Sequence, residues 1–282
     1  MVIGQLYRCL KDRLSSSEGM QAGVVARELM SYVTGLSAAA LMARDNDEAS
    51  EETVLTCTQC ADRLVNGEPL PYILGKWSFY GLPLTVTPDV LIPRDDTMAV
   101  VDLALELPLP ERPRILDLCT GSGCIGLALA HRLRRAEVVL ADVSPDALAV
   151  AEKNAAALEL TVECVLADAM KSTDASLGEF DLLISNPPYI TTAEMLELEP
   201  SVRNYEPHLA LDGGESGLDF YNAILQNFTQ RVKPGGWCCF EFGMGQEAAV
   251  CRLLEENNFK VLCLRKDCGG IIRAVSAQKE RN

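Results

Sequence analysis

A chain of 282 residues with 48% hydrophobic content is long enough to bury one large core and a second, smaller one. Its formal net charge of −15, with basic residues scattered in short clusters such as Arg132, Arg134 and Arg135, argues against a nucleic-acid grip built on phosphate neutralisation. No stretch reaches the roughly 20 apolar residues that span a bilayer, and the first ten residues lack a basic run followed by an apolar core, so a cytoplasmic protein without membrane contact is expected.

Residues 1–70 show helical spacing without strand-like alternation, punctuated by Ser15-Ser16-Ser17, Gly19, Gly23 and Gly35, and predict a small helical domain. Its last helix runs over 51–65 and stops at Asn66-Gly67 ahead of Pro69. Cys57-Thr58-Gln59-Cys60 is a C-x-x-C, but no second pair follows at metal spacing and the two histidines, His131 and His208, are distant in sequence, so no metal is expected. Residues 71–93 are rich in β-branched and aromatic side chains and break at Gly81-Leu82-Pro83, which predicts a hairpin linker able to wall a site.

Over 94–282 helix and strand alternate. The pattern predicts helices over 95–107, 123–134, 145–158, 218–232 and 246–257, and strands over 115–119, 138–142, 162–166, 182–185, 237–242, 261–264 and 271–275. Such alternation builds an α/β, Rossmann-like domain: a mostly parallel sheet covered on both faces, with ligands at the carboxyl ends of its strands.

Four strand ends carry chemistry. The first runs through Asp117 into Cys119-Thr120-Gly121-Ser122-Gly123, then Gly126, a glycine-rich turn opening a helix, and Asp142, followed by Val143, closes the next strand. The spacing matches a dinucleotide site, yet Asp117 would oppose a pyrophosphate. S-adenosylmethionine carries a sulfonium and an amino group and no phosphate; Asp117 suits its amino group and Asp142 its ribose. The third strand ends at Asp168, next to Ala169, a candidate acceptor for the adenine amine, although an exposed acid at a strand end is common.

The fourth end is Asn186-Pro187-Pro188-Tyr189. Two prolines remove two backbone donors, and Pro187 pushes Asn186 out of the helical region, so the turn offers acceptors to a substrate –NH2 while Tyr189 offers a flat face. Transfer of a methyl group to a planar nitrogen fits, with the Asn186 side-chain oxygen and the Pro187 carbonyl holding the two N–H bonds.

With these residues assembled, the chain resembles the protein-(glutamine N5) methyltransferases of peptide chain release factors, the PrmC/HemK family. The resemblance rests on Glu68-Pro69-Leu70-Pro71-Tyr72-Ile73-Leu74-Gly75, Val90-Leu91-Ile92-Pro93-Arg94, the glycine loop, the Asn186 turn, Tyr205-Glu206-Pro207, Lys233-Pro234-Gly235-Gly236, Glu241 with Gly243 and Gln246, and Gly269-Gly270 with Arg273. It implies a seven-stranded S-adenosylmethionine-dependent domain behind a helical substrate-recognition domain. It also implies a class I release factor as the protein substrate, modified at the glutamine of its Gly-Gly-Gln motif, and a monomer is expected.

Three departures stand out. Cys119 replaces a glycine, which a side chain tolerates only at negative φ; Asp95-Asp96-Thr97-Met98 keeps one acid of two; and Ala169-Met170 lacks an aromatic that often follows the third-strand acid. Two other readings remain: a nucleic-acid amino methyltransferase acting on adenine N6, disfavoured by the charge and by the absence of a target-reading domain, and a non-catalytic S-adenosylmethionine-binding scaffold.

Overall fold

The computed structural model describes residues 1–15, 21–172 and 177–281, and divides into two compact units, Met1–Gly75 with Pro200–Tyr205 and Lys76–Glu199 with Glu206–Asn282.

The first unit is helical: α1 (Ile3–Leu14), α2 (Ala22–Thr34), α3 (Ala38–Ala43), α4 (Glu51–Val65) and α5 (Leu70–Leu74). Ile3, Leu6, Leu10 and Leu14 recur every three to four residues along α1 and are all buried, against Ala26, Leu29 and Met30 of α2 and Cys57, Ala61 and Leu64 of α4 in one core. The C-x-x-C thiols belong to that core, where burial pushes Cys57 up to about 12. Ser50 caps α4 by accepting from the Thr53 N–H, with Glu51 and Glu52 in the first turn where the helix dipole favours anions. Gly35 ends α2 in a left-handed conformation, φ 69°. Gly23 is no break; it lies inside α2, and the Tyr7 hydroxyl stands 3.0 Å from where a Cβ would be. Ser16, Ser17 and Gly19 lie outside the described residues. The late segment α9 (Pro200–Tyr205) joins this unit through the Tyr205 hydroxyl, which donates to the Asn66 carbonyl at 3.0 Å.

The second unit opens with a hairpin shorter than expected, β1 (Lys76–Phe79) paired with β2 (Leu82–Thr85). Its two-residue turn is Tyr80-Gly81, both at positive φ, the geometry that matches strand twist. Tyr72, Ile73 and Leu74 belong to α5 instead, because Pro71 presets a helical φ and the left-handed Gly75 ends the turn. Residues 86–94 form no strand; Pro88 and Pro93 deny ladder donors there.

The sheet that follows contains β3 (Arg114–Leu118), β4 (Glu137–Asp142), β5 (Glu163–Leu166), β6 (Phe180–Ser185), β7 (Val232–Glu241), β8 (Phe259–Lys266) and β9 (Ile272–Lys279) in the order β5-β4-β3-β6-β7-β9-β8. The first five strands pair in parallel, and β9 lies antiparallel to both β7 and β8. Two apolar cores cover the sheet: α6 (Met98–Leu105), α7 (Cys124–Arg132) and α8 (Pro145–Ala157) contribute to one, α10 (Asp219–Phe228) and α11 (Glu247–Glu256) to the other. β7 starts five residues earlier than its apolar run suggests. Lys233-Pro234-Gly235-Gly236 forms an irregularity within it, so the register jumps from Phe180↔Val232 to Leu182↔Trp237. Strand order reverses between β3 and β6, which opens a crevice at their carboxyl ends.

Candidate active site

The β3–α7 turn is shaped by backbone that L-residues rarely adopt: Cys119, Gly121 and Gly123 sit at φ 61°, 54° and 82°. Cys119 therefore contradicts the expectation of a negative φ and holds a left-handed conformation that costs about 1–2 kcal/mol for a side chain. Burial pushes its thiol far up. Gly126 permits a close approach, since a Cβ there would stand 2.2 Å from Leu140 Cδ2 and 2.9 Å from Asp117 Oδ2.

That approach explains Asp117. Fully buried, its Oδ2 accepts from the Gly126 N–H at 2.8 Å and from the Thr120 hydroxyl at 2.6 Å, while Oδ1 has no partner. Asp117 is not among the residues lining the cavity; with its Oδ2 on two donors of the loop it braces that loop from within. Desolvation lifts its carboxyl to about 7. The loop is held from a second side by buried Asn154, which donates to the Ser122 and Thr85 carbonyls (2.9 and 3.0 Å) and accepts from the Thr85 N–H.

A cavity of about 480 Å³ lies at the crevice, within the size range of nucleoside-like ligands. Cys119, Thr120, Gly121, Ser122, Asp142, Val143, Asp168, Ala169, Asn186 and Pro188 all line it; Gly123, Pro187 and Tyr189, like Asp117, do not. Asp142 accepts from the Gly121 N–H (2.8 Å) and the Ser144 N–H (3.0 Å), and burial raises its carboxyl. Each oxygen keeps lone-pair capacity for a further hydroxyl. Asp168 is paired with Lys171 at 2.8 Å, which holds its carboxyl low, so an adenine amine there would share that acceptor with the ammonium. The described lining residues include Asp89, Asp142 and Asp168 and neither lysine nor arginine.

The opposite wall comes from residues 88–93 and 207–210, not from the strands of the hairpin. Buried Glu206 clasps the two segments, accepting from the Ile92 N–H at 3.1 Å and pairing with Arg94. Leu209 and Met170 leave an exposed apolar rim.

The Asn186 turn is fixed by groups far along the chain. Gln246 donates to the Tyr189 carbonyl at 2.9 Å and accepts from the Gly243 N–H at 2.9 Å; at Gly213 a Cβ would stand 2.7 Å from Tyr189 Cα. The Tyr189 ring lies beside Gly243, and burial raises its phenol. Asn186 reaches Thr97 through its Nδ2, 3.4 Å from Oγ1. Behind them is Glu241, buried at 2% exposure; desolvation pushes its carboxyl up to about 7, and neighbouring Thr97 and Asn186 favour its ionised form. Thr97 and Glu241 carry no role in the sequence reading of this turn; an acid closing an otherwise apolar strand was the available signal for Glu241.

Residues 5–75 match the PrmC N-terminal domain model and residues 99–200 the methyltransferase small domain model. A release factor glutamine methyltransferase of Geobacter sulfurreducens is 40% identical over 89% of this chain and 87% of that protein. One from Bradyrhizobium diazoefficiens is 40% identical over 96% and 93%. A crystal structure of a methyltransferase from Pyrococcus furiosus matches with a TM-score of 0.55 at 16% identity, covering 79% of this chain and 99% of that one, and shows the shared fold. The chain belongs to the release factor glutamine methyltransferase family.

Proposed function

We propose that the protein transfers a methyl group from S-adenosylmethionine to the side-chain amide nitrogen of the glutamine in the Gly-Gly-Gln motif of class I release factors. The observation that carries this reading is one cavity holding both an acceptor amide, Asn186, and a half-buried ribose-type acid, Asp142, with acids and neither lysine nor arginine among the described lining residues. An anionic pyrophosphate would meet Asp89 and Asp142 in a described lining that contains no lysine or arginine, which disfavours a dinucleotide.

When bound, S-adenosylmethionine supplies an electrophilic methyl group. Asp142 would take its ribose hydroxyls, and Asp168 its adenine amine in competition with Lys171. Asp117 keeps the loop in shape, and Gly121 leaves open space beside the loop, with nothing within 4 Å of where a Cβ would be. A glutamine amide nitrogen is a poor nucleophile, because its lone pair is delocalised into the carbonyl. Asn186 Oδ1 and the Pro187 carbonyl would orient its two N–H bonds, so positioning carries most of the acceleration. One N–H proton leaves to water. The helical unit is assigned to holding the body of the release factor, and the protein is assigned to the cytoplasm as a monomer without nucleic-acid or membrane partners. No described helix is long and apolar enough to cross a membrane.

Incubation with methyl-labelled cofactor and either a class I release factor or adenine-containing DNA tests the reading. Label on the Gly-Gly-Gln glutamine, located by peptide mass spectrometry, is expected. Label on DNA alone would support the adenine reading, and no transfer with intact cofactor binding would support the scaffold.

A further inference from the structure

Among the described residues, Glu241 is a buried carboxylate beside the acceptor turn with no part in holding cofactor or substrate. It closes β7, is 2% exposed, does not line the cavity, and leaves Oε2 without a partner. A group so enclosed cannot take a proton from a substrate in the cavity. Its contacts run through Thr97 and Asn186.

The hydrogen-bond inventory of this cluster has a fixed sense. An ionised carboxylate only accepts. Asn186 Nδ2 donates to Thr97 Oγ1, so the single Thr97 hydroxyl hydrogen is free for the neighbouring Glu241 carboxylate, whose ionised form Thr97 favours. The Asn186 –NH2 is thereby committed to the Thr97–Glu241 side, and Oδ1, the acceptor-only end of the amide, is turned the other way. Asn186 and Thr97 both line the cavity, and with the –NH2 engaged by Thr97 the oxygen is the end of the amide left free for a ligand there. A protonated Glu241 would reverse the chain: its O–H donates to Thr97, the Thr97 hydroxyl donates to Asn186, and the –NH2 swings toward the cavity, where it opposes a substrate –NH2.

We propose that Glu241 is a positioning residue for methyl transfer, acting through Thr97 and Asn186 to hold the Asn186 amide with its oxygen toward the acceptor nitrogen. This rests on the proposed function of the Asn186 turn. The carboxyl sits at about 7, between its two states near neutral pH, with desolvation as the main cause. Arg273 of β9 favours the ionised form and Asp96, in the short turn before α6, opposes it. Tyr189, Tyr221 and Cys124 also face Glu241, and each is raised by its own burial and stays neutral. The activity of the correctly positioned site therefore rises with pH as Glu241 ionises.

The test is a double-mutant cycle between Glu241→Gln and Asn186→Ala in the full-length protein, read as single-turnover methylation of a release factor across pH 5.5–8.5. Cofactor affinity and thermal unfolding are measured on the same preparations. In the Glu241→Gln variant both amide orientations become accessible, so the rate plateau should fall about two- to tenfold, and the limb near pH 7 should disappear at unchanged cofactor affinity. In the Asn186→Ala background Glu241→Gln should have no further effect on rate. In unfolding, Asn186→Ala should cost less in the Glu241→Gln background, where no buried charge is left short of a donor. Thr97→Val interrupts the same chain without altering a charge, and should lower the rate and lose coupling with Asn186 even if Glu241→Gln fails to fold.

A wild-type pH limb that survives in Glu241→Gln, or an equal rate loss in both backgrounds, would overturn the proposal. If Asn186→Ala alone leaves turnover intact, the function assigned to the turn fails. If it abolishes turnover while Glu241→Gln and Thr97→Val change nothing, only the positioning role fails.

Discussion

Two buried carboxylates stand at the ends of two sheet strands and serve different ends of one cavity. Asp117, in β3, accepts from a backbone N–H and a hydroxyl of its own loop, nine and three residues away. Glu241, at the end of β7, takes its contacts from Thr97 and Asn186, which belong to distant segments. Both are lifted to about 7 by burial, and each keeps one oxygen without a partner. Asp117 stiffens backbone, and the cradle it supports is a property of local sequence. Glu241 orients a side chain, so its effect exists only once the sheet is assembled. Asp117 thus acts within its own loop, which Asn154 holds from a distance, whereas the contacts of Glu241 are all long-range.

Substitutions sharpen that contrast. Asn186→Ala removes the acceptor-side oxygen and should lower turnover by about 10²–10³-fold, by analogy with losing one preorganised polar group in a transition state. Cofactor affinity, measured by calorimetry, should change little. A large loss of affinity would place Asn186 in the cofactor half.

Stability should respond to pH through the same two carboxylates. The folded-state values of Asp117 and Glu241 are raised above their ordinary values of 3.8 and 4.5. The neutral forms are therefore favoured by folding, and the stability they contribute is complete below about pH 4 and is lost as pH rises through about 7. At about 1.4 kcal/mol per pKa unit, Glu241 contributes at most roughly 3 kcal/mol to that slope. Glu241→Gln should be level with wild type near pH 4.5 in urea unfolding and more stable above pH 7. A gap independent of pH would show that the carboxyl does not titrate in this window.

Asp142→Ala should weaken S-adenosylmethionine binding by about 1.5–3 kcal/mol if its carboxylate makes charge-assisted hydrogen bonds to ribose, with the rate at saturating cofactor less affected. Unchanged affinity would remove Asp142 from the site. The smallest effect is at Cys119. Glycine relieves the left-handed strain but loses the thiol's burial and gains unfolded-state entropy, so Cys119→Gly should stay within about 1 kcal/mol of wild type in thermal unfolding. A larger loss would give the thiol a role that its backbone conformation does not explain.

Much of this molecule was legible in its sequence. Strands β3, β4 and β6 are short apolar runs ending at Asp, Asp and the Asn-Pro-Pro-Tyr turn, and period and turn residues alone mark them. α4 ends at Val65 as expected, because Asn66-Gly67 ahead of Pro69 is a local stop signal. The hairpin was read too long, because aromatic and β-branched composition does not separate a strand from the extended, proline-bounded residues 86–94. The Cys119 conformation was misread, since the side chain argued for negative φ while the loop imposed 61°. Glu206, Glu241 and Thr97 stand in segments that the sequence singles out, but their partners, like those of Asn154, lie more than 30 residues away, which no local pattern encodes.

In the proposed reaction the Asn186 turn orients a glutamine amide while other residues hold the cofactor. The most direct measurement compares wild type, Asn186→Ala and Asn186→Asp for cofactor affinity and for methylation of the Gly-Gly-Gln glutamine on an intact release factor. Turnover should collapse in Asn186→Ala with most cofactor affinity retained, and should be impaired in Asn186→Asp, where a negative charge beside the sulfonium leaves binding intact or stronger. Near wild-type methylation in both variants would contradict the account.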